Sequence, residues 1–126
     1  MAFVESFRDL DVYKLARELA KEIFELTKSF PKEELYSLTS QIRRSSRSVG
    51  AQIAEAWGKR RYIRHFESKL TDSDAEQLET QQWIETSLDH NYISAETADS
   101  LIKRYESLGK MLGNMIAKSS SFCKKA

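Results

Sequence analysis

The feature that most constrains this chain is its last amphipathic stripe. Ala98, Leu101, Tyr105, Leu108, Leu112, Met115, Ser119 and Phe122 recur at strict heptad spacing, which lines them along one side of an α-helix. Ser94 precedes the stripe as an N-cap, and Glu96 places an acid in the first turn, where the helix dipole favours it. The same period occurs three times upstream. Val12, Ala16, Leu19, Ile23, Leu26 and Phe30 form one stripe, and Pro31 stops that helix because its ring removes a backbone donor. Leu38, Ile42, Ser45/Ser46, Val49, Ile53 and Ala56/Trp57 form the second, with Gly58 as its cap. Ile63, Phe66, Leu70, Ser73, Gln77, Gln81, Ile84 and Leu88 form the third, and three of its middle members are polar.

This pattern predicts an all-α fold, with helices over about 9–29, 37–58, 62–90 and 95–118 and a frayed tail over 119–126. Short turns make sequential helices antiparallel, so the expected form is an up-down-up-down, left-handed four-helix bundle in a single domain spanning residues 1–126. Composition agrees, since four glycines and one proline in 126 residues leave little turn or sheet signal. Cys123 is the only cysteine, and MAFVESFRDL carries acids but no long apolar run. These features predict a cytoplasmic protein with neither signal peptide nor membrane span.

Twenty basic residues nearly balance nineteen acids, for a formal charge of +1, so any nucleic-acid or membrane surface must be local. Residues 41–64 hold seven basic residues and Glu55, a net +6, whereas 65–106 hold ten acids and three basic residues, a net −7. Folding the second helix back on the third brings Arg43, Arg44 and Arg47 towards Asp72, Asp74 and Glu76, which predicts structural ion pairs. Lys59, Arg60, Arg61 and Arg64 lie past that zone and are the candidate nucleic-acid contacts, with Tyr62 among them able to stack on a base. Gly50, Ala51 and Ala54 lie together away from the Ile42 stripe, and small side chains there let another backbone come close. With Trp83, read as facing outward on the third helix, they are the candidate oligomer interface. Trp57 falls near the core stripe.

Enzyme motifs are absent. No G-x-x-x-x-G-K-[ST], G-x-G-x-x-G or G-x-S-x-G occurs, and the residues three before His65 and His90 are Tyr62 and Ser87 rather than the glutamates of a di-iron bundle. No catalytic residue, metal or cofactor is expected; Glu76 and Glu79 are read as partners of the arginines.

The order FRDLDVYKLARELAKEIFELTKSFPKEELYSLTSQIRRSSRSVGAQIAEAWGKRR, followed by Glu76, Glu79-Thr80, Trp83 and Tyr92-Ile93, resembles the bacterial four-helix-bundle proteins encoded in intervening sequences of 23S ribosomal RNA genes. Relatives of that family include the accessory variability determinant of diversity-generating retroelements. The resemblance implies a homopentameric barrel of bundles and, for the retroelement relatives, binding of RNA or DNA together with a reverse transcriptase. Two readings follow: a non-enzymatic homopentamer that binds RNA or DNA non-specifically through rings of basic turns, or a protein-interaction scaffold without nucleic acid.

Overall fold

The computed structural model describes residues 4–123, and among these it contains no strand. Four long helices make up the chain: α1 (Asp11–Thr27), α2 (Leu38–Gly58), α3 (Ile63–Asp89) and α4 (Ala95–Ala117). A single turn, α5 (Ser119–Phe122), follows α4, and short 3-10 turns occupy Phe7–Asp9 and Lys32–Glu34. Each boundary has a local cause. The Asp9 carboxylate accepts the Ser6 N–H at 3.1 Å, closing a capping box before α1. After Thr27 the N–H groups of Lys28, Ser29 and Phe30 reach back to the carbonyls of Glu25, Leu26 and Thr27, tightening the last turn before Pro31. α3 ends on Asn91 at φ 61°, with Tyr92 N–H on the Ser87 carbonyl and Asn91 N–H on the Leu88 carbonyl, both at 2.9 Å. This is the left-handed helix stop that asparagine tolerates better than other non-glycine residues. The Ser94 hydroxyl accepts the Thr97 N–H at 3.1 Å and starts α4 as expected.

α1 packs against α2, α2 against α3, α3 against α4, and α4 against α1. Between them lies one core containing Leu19, Ile23, Ile42, Ile53, Phe66, Leu70, Ile84, Leu108 and Leu112, all essentially removed from water. The α2–α3 seam differs in kind. Gln52 meets Lys69, Val49 meets Ser73 and Ser45 meets Thr80, so the two helices run in opposite directions. Its buried middle is polar: the Ser73 hydroxyl donates to the Val49 carbonyl at 2.9 Å, and the Thr80 hydroxyl lies 2.8 Å from that of Ser45. Gln77 donates to Asp74 at 3.0 Å and accepts from Gln81 at 2.7 Å. Small hydroxyl residues let the helices approach closely while every one of these groups keeps a partner.

Three expectations need correction. The α3 stripe runs Phe66, Leu70, Ser73, Gln77, Thr80, Ile84, Ser87, a strict heptad; Gln81 and Leu88 lie beside it, and Ile63 is 42% exposed. Polar residues on the buried line had hidden its course. Residues 119–123 of the tail are docked rather than frayed: Ser119 is buried and donates to Glu67, and Phe122 stacks on Phe66 at 5.9 Å. Residues 124–126 of that tail lie outside the described residues. Gly50 is also not required for a tight crossing. An added Cβ there would lie 3.6 Å from the Tyr13 ring, an ordinary contact, whereas at Gly109 it would lie 2.9 Å from the Gln77 amide nitrogen and 3.2 Å from Asp74.

Gly50→Ala should therefore stabilise the protein by about 0.5–1 kcal/mol through helix propensity. Gly109→Ala should lose that gain and destabilise, because it pushes the buried Gln77 amide off Asp74. Urea denaturation of the two variants checks the contrast, and equal shifts would contradict it.

Candidate functional site

The arginines of α2 divide between two neighbours. Arg44 reaches α3, where its guanidinium lies 3.2 Å from Glu76 and 2.5 Å from Glu79. Arg43 and Arg47 instead turn towards α1. Arg43 Nε donates to the Thr27 hydroxyl at 2.8 Å, and both guanidinium groups lie over the Phe24 ring, at 4.7 and 5.6 Å from its centroid. The expected pairing of Arg43 and Arg47 with Asp72 and Asp74 does not form. Asp72 lies 4.0 Å from Lys69, and Asp74 accepts from Gln77. Helix geometry gives the reason: Arg43 and Arg47 are one turn apart on a single face, and Arg44 is rotated about 100° from Arg43 towards α3.

Glu79 joins that contact to Trp83, whose indole N–H donates to the same carboxylate oxygen at 2.9 Å. The indole hydrogen bond, with the Arg44 guanidinium after it, holds the Glu79 carboxyl below its ordinary value despite partial burial. Trp83 is consequently half-buried, packed against the core edge and tied within its own helix, rather than free on the outside. Of the small residues, Gly50 faces Tyr13 and Ala16 of α1. Ala51 is exposed and Ala54 half-buried along the open α1–α2 groove rimmed by Phe7, Arg17 and Arg47. The structure thus separates Trp83 on α3 from the small-residue groove between α1 and α2.

The turn joining α2 to α3 holds a different arrangement. Lys59, Arg61 and Arg64 are exposed, and among the described residues none of them, nor Arg60, forms an ion pair. Arg60 is the fixed member: its Nε donates to the Trp57 carbonyl at 2.8 Å, and its guanidinium lies 3.6 Å from the Trp57 ring centroid. That geometry satisfies a terminal carbonyl of α2 and places a cation at the negative end of its dipole. α3 starts with no capping side chain and no acid in its first turn, so its positive end adds to the same potential. Tyr62 stands in the middle, 55% exposed.

Sequence reading missed Leu35 and Tyr36, which are 44% and 92% exposed, and Leu78 at 54%. Glu34 braces the first pair, one carboxylate oxygen accepting from Leu38 N–H at 3.4 Å and the other from the Tyr92 hydroxyl at 2.9 Å. The Pro31-Lys32-Glu33-Glu34 turn signalled a loop but gave no side-chain direction. Among the described residues no cluster of His, Cys, Asp or Glu is arranged to hold a metal ion, and no helix is long and apolar enough to cross a membrane.

Fold and site together define a small all-helical protein whose distinctive groups are surface charges. Residues 8–114 match the 23S rRNA-intervening sequence protein family, and the chain belongs to that family. It is similar to a crystallised protein of unknown function from the S23 ribosomal protein family of Bacteroides thetaiotaomicron. The two share 30% identity and a TM-score of 0.76, over 84% of this chain and 95% of that one. No curated protein matches the sequence.

The Glu79 contact yields a pH test. Because its folded-state carboxyl sits below the ordinary value of 4.5, its stabilisation is fully present above that pH and is lost as pH falls through the folded value. Glu79→Gln should lower stability by about 0.5–1 kcal/mol at pH 7, a partly exposed pair being worth no more. In denaturation measured from pH 7 to pH 3, the two proteins should converge at the acid end, and a gap that persists there would remove the charge from the explanation.

Proposed function

We propose that this protein is a non-enzymatic, self-associating four-helix bundle, up-down-up-down and left-handed, whose α2–α3 turn binds the phosphate backbone of RNA or DNA. The observation that carries the reading is the turn itself: Lys59, Arg60, Arg61 and Arg64 stand together with no acid among the described residues paired to them. By contrast Arg44, Lys69 and Arg104 are paired with acids in a chain of net charge only +1. Opposed contacts support the bundle topology: Ser45 with Thr80 across α2–α3, Gly109 with Gln77 and Ser119 with Glu67 across the last seam. Membership of the family supports assembly into a pentamer. Five copies of one cationic turn would bind a polyanion through avidity, so each site need only be weak.

A second reading, a protein-interaction scaffold, draws on Leu35 and Tyr36, adjacent large side chains that the fold leaves 44% and 92% exposed. Salt separates the two. Neutralising each phosphate lowers log K by about 0.9 per decade of salt on duplex DNA and about 0.7 on single strands. Replacing Lys59, Arg60 and Arg61 with alanine should therefore flatten the salt dependence of RNA and DNA binding by roughly two to three units per engaged turn. An unchanged slope, or no measurable binding at low salt, would leave the scaffold reading in place. Light scattering should give the mass of five chains, and a concentration-independent monomer would overturn the assembly.

A further inference from the structure

We infer that the α2–α3 turn takes a single strand rather than a duplex, with an unstacked base lying on Tyr62 and the flanking phosphates held by Lys59, Arg61 and Arg64. The inference rests on the nucleic-acid reading above and specifies the form of the strand. The turn contains two aromatic groups, Trp57 and Tyr62, and only Tyr62 is exposed. Trp57 is packed against the core, and the Arg60 guanidinium covers its ring at 3.6 Å, held there by the bond to the Trp57 carbonyl. Tyr62 lies outside the core, 55% exposed beside Ile63 at 42%. The His65 ring, 5.3 Å away and tilted by 53°, and the Arg61 guanidinium, 5.7 Å from the ring centroid, flank it without burying it.

The Tyr62 backbone is pinned on both sides. Its N–H donates to the Lys59 carbonyl and its carbonyl accepts the Phe66 N–H, both at 3.0 Å, so the ring is presented from a fixed backbone position. A side chain flanked by cations in this way suits a base whose own face is open, because stacking is sequence-tolerant and the cations track the backbone. In a duplex the base faces are already stacked on one another, and the same turn would meet phosphates alone. Tyr62 therefore adds affinity for single strands only, whereas Lys59, Arg61 and Arg64 add it for both.

The full chain, titrated against a fluorescent oligothymidine and a duplex of equal length at one salt concentration, provides the test. Wild type should prefer the single strand. Tyr62→Ala should weaken single-strand binding by roughly 5- to 150-fold, the range that base–aromatic stacking spans, and leave duplex binding within about twofold. Tyr62→Phe should retain the preference, since it keeps the ring. A thermal melt shows that the variants are folded, as expected for an exposed side chain. Equal losses on both ligands, no loss on either, or tighter duplex binding by wild type would overturn the inference while leaving the phosphate reading intact. Absence of binding to both ligands would overturn the two together.

Discussion

The packing of α2 on α3 through hydroxyl groups is the constraint on which the rest of the structure depends. Ser73 donates across the seam to the Val49 backbone carbonyl, and Thr80 meets Ser45. The Ser73 hydroxyl has its partner in only one alignment, whereas Thr80 and Ser45 also reach carbonyls of their own helices, those of Glu76 at 2.9 Å and Ile42 at 3.4 Å. Sliding one helix past the other would leave the buried Ser73 hydroxyl without its Val49 partner, at a cost of about 1–3 kcal/mol, whereas a uniformly apolar seam would tolerate the slip far better. The seam thus sets register as well as adhesion. The α4 side follows it, because Gly109 leaves room for the Gln77 amide that the seam positions.

Register decides the electrostatics. With Ser45 opposite Thr80, Arg44 falls beside Glu76 and Glu79, while Arg43 and Arg47, on the adjoining face, are left to α1 and the Phe24 ring. The acids of α3 therefore neutralise one arginine of the α2 body rather than three, and aromatic contact and the Thr27 hydroxyl accommodate Arg43. Beyond the seam, at the tip, no acid among the described residues is paired with the four cations. The acids that pair across α2–α3 lie along the helix body, apart from the cations of the turn, and this separation is what the proposed phosphate site exploits.

Much of the fold was legible because burial imposes a period on the residues that undergo it. The α1 and α4 stripes were read residue for residue through Val12, Ala16, Leu19 and Ile23 and through Leu101, Tyr105, Leu108 and Leu112. Legibility fell where buried positions are polar. Thr80 and Ser87 are as buried as their leucine counterparts, yet their side chains carry no hydrophobic signal, so the α3 line was displaced to Gln81 and Leu88. Of the candidate site, the cations of the turn were legible as a local run. Trp83 was not, because its indole is drawn in by Glu79 one turn away, and neither was the exposure of Tyr36, in a turn whose Glu34 is bonded by Tyr92 from 58 residues along the chain.

By itself the amino-acid sequence determined the number of long helices, their approximate ends and most of the residues available to a core, since these follow from local periodicity, caps and breakers. Only the tertiary structure decided which charges are answered and which are left open, which tryptophan face is covered and which tyrosine is presented. Those outcomes depend on the angular positions of side chains on helices brought together from distant segments, and a difference of about 100° between neighbouring residues sends one arginine to a carboxylate and the next to a phenyl ring.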